Sequence, residues 1–416
     1  MQTKSHTLGV RSARTRDSSG LDIPAAIVLL LWSLALLLSP VYVFKSGIPQ
    51  PSDWLFILML VCLFVFGRFQ PGSRWDERAG RVLGGLGIFV VYSVFVNITW
   101  ALILSGSRQG FESIPISMLL SSSYYAFNLC VAAGVASMLR WLNTKFIICS
   151  VFVLVVSGIV QAIVAFQTGS INSDGERTTA FFENPNQLGY FAVLNASLLL
   201  VLARSGKLNR FSQLAVLLGY LALLYLAIVS SSRAGIAGIG LACVLMYIDN
   251  LRRGIVFAVV LIVVLGTGFF ASVSETLVDR TLDLNRGFVG ELTYRGYDRL
   301  WNHPHYLLFG AGEGEYERFE SHSTIELHST PGTLLFCYGI IGFVLFFKPI
   351  VSIVRELGLS VLLLLLPVLV YGLTHQGLRQ SEFWMLILLA GCLGNLRSVI
   401  DRETQNETTD LSIENE

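Results

Sequence analysis

Charge is scarce in this sequence: only 14% of the 416 residues are Asp, Glu, Lys or Arg, against 53% hydrophobic, and the mean hydropathy is +0.64. So apolar a composition excludes an ordinary soluble domain and fits a polytopic membrane protein. The net charge of +1 gives no reason to expect a nucleic-acid partner. Cysteine pairs are missing too, because Cys62, Cys130, Cys149, Cys243, Cys337 and Cys392 all lie in apolar runs and none forms a C-x-x-C, which removes a disulfide framework and a zinc site. There is no P-loop, G-x-S-x-G elbow, H-E-x-x-H or Asp-x-Asp pair. An NTPase, a serine hydrolase, a zincin and the usual metal-dependent use of nucleotide sugars are therefore not expected.

What the chain does have is long apolar runs. Twelve of them, near 22–44, 52–68, 82–106, 116–139, 146–167, 187–203, 212–230, 234–248, 255–272, 331–353, 358–374 and 382–397, approach the length needed to cross about 30 Å of hydrocarbon. The runs are continuous rather than alternating, so they predict helices, not barrel strands. The expected fold class is an all-α integral membrane protein of about twelve transmembrane helices, spans one to nine within 22–272 and ten to twelve within 331–397. Lys and Arg set the orientation: nineteen of 29 fall on the side of the N-terminal tail (1–21), and five of the other ten lie in one long loop. That bias predicts that both termini are cytoplasmic, the tail at 398–416 being polar and disordered. The segment 273–330 then faces outward as one large loop with short amphipathic helices; it carries ten acidic residues and four of the six histidines.

Candidate functional residues gather on that outer side. In "RTTAFFENPNQLGYF", Arg177 precedes an Asn-Pro-Asn turn, and Asn186 is positioned to cap the following helix, whose free N–H groups and dipole would join the arginine in an anion site. The plain alternative is an interfacial charge that snorkels outward. Arg233, in "SSSRAG", sits where a charge costs about 2.5 to 3.5 kcal/mol if it reaches the helix centre. It needs an anionic ligand or a structural partner such as Glu183, Glu326 or Glu382. Arg295 and Arg299 are spaced i, i+4, which would place both on one helical face, for a phosphate or for an ion-pair ladder with Glu291 and Asp298. His328, just before the tenth run, is a candidate base or a satisfied interface histidine. Glu313, Glu315 and Glu317 read as one solvated strand face.

Together these motifs resemble the O-antigen ligase and O-antigen polymerase superfamily of bacterial envelope enzymes. "RTTAFFENPNQLGYF" is similar to its arginine, aromatic and Asn/His-Pro-Asn element, "SSSRAG" to its Ser-Arg-small motif, and "FGAGEGEYERF" to its Gly-x-Gly segment. His328-Ser329, nine residues, Gly339, two residues and Gly342 match its histidine motif. Ala180 and Glu313 depart from it, standing where glycine and proline are usual. The resemblance implies transfer of a glycan from undecaprenyl diphosphate to an acceptor hydroxyl at the inner (cytoplasmic) membrane of a bacterium, with no metal or other cofactor. The donor would be the undecaprenyl-diphosphate-linked glycan, and the acceptor another repeat unit (polymerase) or the lipopolysaccharide core (ligase). Carried onto this chain, His328 and Arg295 would be catalytic, and Arg177, Arg233, Arg299 and Asn186 would hold the diphosphate. A transporter or flippase of lipid-linked sugars is the rival class, and it should carry its charges near the midplane in broken helices.

Overall fold

The computed structural model describes residues 22–45, 48–71, 77–107, 115–168, 178–248, 254–255, 257–259, 262, 287–319 and 326–393. Among them 79% are helical and none lies in a strand. Eight helices come first: α1 (Ile23–Leu38), α2 (Pro51–Val65), α3 (Glu77–Ser107), α4 (Ile116–Leu142), α5 (Thr144–Gln167), α6 (Pro185–Ala203), α7 (Arg210–Val229) and α8 (Arg233–Tyr247). After them come α9 (Gly287–Tyr294), α10 (Asp298–Asn302), α11 (Thr330–Cys337), α12 (Gly339–Leu357), α13 (Leu359–Gly372) and α14 (Ser381–Leu393). Among the described residues five helices, α3 to α7, are long and apolar enough to cross a membrane, and α1, α2, α8, α13 and α14 are shorter apolar helices. Most of the ninth predicted run, part of the long loop and both terminal tails lie outside the described residues.

Local sequence fixes where the helices begin. Asp22, Asn184, Asn209, Ser232 and Ser329 each accept a hydrogen bond from a first-turn amide with a side-chain oxygen. Each satisfies one of the donors that a helix start leaves open. The cap of α6 is therefore Asn184, not Asn186: Pro185, with its φ preset for the first helical position, puts the cap one residue before it. Gln187 closes a capping box from inside the helix, its Oε1 accepting from the Asn184 amide at 3.3 Å.

The bundle's two ends differ. Arg78 and Arg81 of α3 meet Glu356 of α12 at 2.8 and 2.6 Å on one end, where Arg140, Lys145, Arg204 and Lys207 also lie at helix termini. The starts of α2, α4, α6, α8 and α14 and the ends of α1, α7 and α13 meet at the other. Between them Phe89, Tyr125, Tyr338, Phe346 and Trp384 form a fully buried aromatic cluster. A single tenth span was expected, yet that run is split into α11 and α12 at Gly339, whose φ of +66° is a left-handed value. The carbonyls freed by the break are taken up by the glycine-rich segment of the long loop: Ala311 N donates to Phe336 O and Gly312 N to Cys337 O, both at 2.9 Å, while Ile340 N donates to Leu307 O at 2.7 Å. A Cβ on Gly310 would overlap the Cys337 carbonyl, and one on Gly339 the Leu308 carbonyl.

Gly339→Ala is accordingly expected to unfold this docking and lower the thermal midpoint in detergent sharply. Gly358→Ala, where φ is +86° but nothing lies within 4 Å, should cost only the intrinsic left-handed penalty of about 1–2 kcal/mol. Equal midpoints for the two variants would contradict the packing account.

Candidate functional site

The helix ends opposite the basic terminus enclose a cavity of about 1220 Å³. Two helix starts form one wall. Gly189 of α6 lets Ser230 and Ser232 approach, and Gly235 of α8 lies 3.4 Å (built Cβ to Cα) from Gly189, so both N-termini face the same space. Arg233, the first residue of α8, is exposed into it and has no hydrogen-bond or ion-pair partner among the described residues. Asn186 and Gln187, in the first turn of α6, line it as well. Ala180 and Ser231, just ahead of these helices, both hold left-handed backbone (φ +49°), which gives a physical reason for a glycine at the position of Ala180.

The opposite wall is built from the long loop laid over the turn between α13 and α14, residues 373–380. Arg295 donates through Nη1 to the Thr374 carbonyl, and its own carbonyl accepts from the His328 amide at 3.1 Å. Thr330 donates its amide to the His375 carbonyl at 3.1 Å and accepts the Gly377 amide at 3.0 Å. Tyr297 reaches Ser329 and the Leu373 carbonyl. These bonds set Arg295 and His328 side by side on the cavity. Burial lowers the His328 imidazole from its ordinary 6.5, Arg295 and Arg299 push the same way, and Glu326 opposes them. At neutral pH the ring is neutral and able to accept a proton. On the same cavity Tyr190, Tyr371 and His375 stack in a column, with centroids 4.6 and 4.5 Å apart.

Of the six residues singled out in the sequence, Arg233, Arg295, His328 and Asn186 thus line one cavity. Arg177 lies outside the described residues. Arg299 is elsewhere: it is 0% exposed, under the Tyr316 ring at 5.1 Å, and does not line the cavity. The i, i+4 argument fails there because Gly296, at φ +80°, breaks the segment between α9 and α10, so Arg295 and Arg299 share no helical face.

Glu313 also differs from expectation. Instead of a solvated edge it is a fully buried carboxylate, accepting from Tyr125, from Tyr338 at 2.7 Å, from Gln376 at 2.7 Å and from Arg379 at 2.8 Å, while its amide donates to Asn97 at 2.8 Å. Burial pushes its carboxyl up, but Arg379 and the hydrogen bonds outweigh burial and leave it below the ordinary value. Arg379 reaches on to Glu326 at 2.6 Å and Ser121 at 3.2 Å, and lines the cavity. Arg379, Gln376 and His375 stand in no motif of the sequence. The signal was present, since Arg379, like Arg233, is a cation in a short turn between apolar runs. Among the described residues no three His, Cys, Asp or Glu side chains are grouped to hold a metal. No family model matches the chain, and no curated protein matches it.

Glu313→Ala, which strands Arg379 and two tyrosines, should destabilise the protein by about 3–5 kcal/mol in a denaturant titration. Glu313→Gln, which keeps the hydrogen bonds and loses the charge, should cost clearly less; the reverse order would contradict a charge-dominated role.

Proposed function

We propose that this protein is a membrane glycosyltransferase that moves a glycan from undecaprenyl diphosphate to an acceptor hydroxyl, acting as a polymerase of envelope-polysaccharide repeat units. The observation that carries the reading is the meeting of the unpartnered Arg233, the helix start of α6, Arg295 and a neutral His328 on one cavity at the end of an apolar bundle. Arg177, ten residues before Gln187, belongs to the same reading. The layout that goes with it has about twelve spans in the bacterial inner membrane, both termini cytoplasmic, and the loop of 273–330 periplasmic.

The chemistry runs as follows. The acceptor O–H attacks the anomeric carbon, the bond from that carbon to the diphosphate oxygen breaks, and His328 takes the hydroxyl proton. Negative charge builds on the departing diphosphate, and guanidinium groups fixed in a site of low dielectric stabilise it without having to reorganise. Arg233 has its fork free for this, and Arg295 is held in place by the Thr374 carbonyl. The aromatic column of Tyr190, Tyr371 and His375 supplies a flat face of the kind that sugars lie against.

The ligase alternative keeps the donor chemistry and changes the acceptor to the lipopolysaccharide core. Two features favour the rival transporter reading: the helix broken at Gly339, and the Glu313–Arg379 pair about nine residues, on the order of 14 Å, below the start of α4 at Tyr125. That pair, however, is saturated by hydrogen bonds from within the protein, whereas Arg233 faces open space.

Arg233→Ala and Arg177→Ala are expected to leave the protein in the membrane and abolish long-chain glycan on a gel; a wild-type ladder from both would remove the clamp. Deleting the gene should leave single-repeat glycan for a polymerase, undecaprenyl-linked polymer for a ligase, and lipid-linked units trapped on the cytoplasmic face for a flippase. With His328 as base and its imidazole lowered below 6.5, turnover should be fully present at neutral pH and fall only as pH drops through that lowered value. A limb above pH 7 in kcat against pH would contradict this.

A further inference from the structure

Arg379 belongs to no motif of the sequence, yet three segments converge on it. It sits in the turn between α13 and α14, its Nε and Nη2 on the buried Glu313 of the glycine-rich segment at 3.0 and 2.8 Å, and its Nη1 on Glu326 at 2.6 Å. Glu313 is wholly enclosed, whereas the Glu326 side chain is 41% exposed and borders the cavity. The guanidinium is thus anchored on one side and presents its other side to a carboxylate two residues from His328. The Glu326 carboxylate attracts a proton onto the His328 imidazole, and a cation bound to the carboxylate opposes that attraction.

We propose that Arg379, anchored by Glu313, is a positioning residue that neutralises Glu326 and so keeps His328 unprotonated and available as a base. The inference rests on the reading of His328 as the base. The charged groups that act on the imidazole are Glu326 on its own segment, Arg295 from the α9–α10 turn and Arg299 of α10, while Tyr297 and His375 bond the neighbouring Ser329 and Thr330, and Arg379 of the α13–α14 turn meets Glu326. Arg295 and Arg299 depress the imidazole, and Glu326 alone among the named neighbours raises it. Control of that one carboxylate is therefore control of the base. Arg379 itself stays charged throughout: burial disfavours its cation, but Glu313 and Glu326 more than offset this.

The test reads the ring directly and needs no substrate. The full chain, with histidine labelled at Cε1 with 13C, is titrated by NMR in detergent, the His328 signal being the one lost in His328→Ala. Removing the neutralising cation in Arg379→Gln should move the His328 midpoint up by at least half a pH unit. Removing the carboxylate in Glu326→Gln should move it down. Because Arg379→Gln leaves Glu313 buried without its cation and can fail to fold, Glu313→Gln/Arg379→Gln restores the buried charge balance and should show the same upward shift. Midpoints unchanged in Glu326→Gln and in whichever Arg379 variant folds would overturn the inference, since a purely structural role alters stability and not the titration. The reading beneath it fails separately, if cells carrying His328→Ala still make a full glycan ladder.

Discussion

The architecture depends on one carboxylate being held in a place where no carboxylate could remain alone. Glu313 lies among α3, α4, the end of α11 and the α13–α14 turn, with no exposed surface. A lone ionised group there would cost several kcal/mol, a large share of a domain's stability margin. Two tyrosines, a glutamine and an arginine enclose it instead, drawn from three separate parts of the sequence: α4, the break between α11 and α12, and the α13–α14 turn. That convergence fixes the long loop in register against the bundle, and the register decides where Arg295 and His328 point.

From this constraint the site follows by short steps. With the loop seated, the turn of 373–380 becomes a shelf whose carbonyls receive Arg295, Tyr297 and Thr330. The shelf faces the two helix starts drawn together by Gly189 and Gly235. A cation at one helix start, a second cation on the shelf and an uncharged imidazole between acidic and basic neighbours then share a space large enough for a diphosphate and a sugar.

The helices were legible in the sequence because apolar run length and capping residues act locally. Asn184, Ser232 and Ser329 mark their helices within four residues of sequence. The convergence of Arg233, Arg295 and His328 was legible only as shared sidedness, through the placement of Lys and Arg. What could not be read was anything set by contacts between distant segments. Arg299 looked like a neighbour of Arg295 because helical spacing was assumed across Gly296, and a single left-handed residue sent it inward. Glu313 looked solvated because its partners lie 25 to 188 residues away. Asn186 lost the cap to Asn184 through the proline between them, a local rule that the sequence did contain.

The mutual fit of Gly310 and Gly339 bears on the order in which the chain can assemble. The glycine-rich segment is synthesised before the broken helix that receives it, and Glu313 emerges 66 residues ahead of Arg379. Until α11, α12 and the α13–α14 turn have been made, the acidic segment has neither the backbone cleft nor the cation that makes its burial tolerable. Burial of that segment therefore follows synthesis of the α13–α14 turn that carries Arg379.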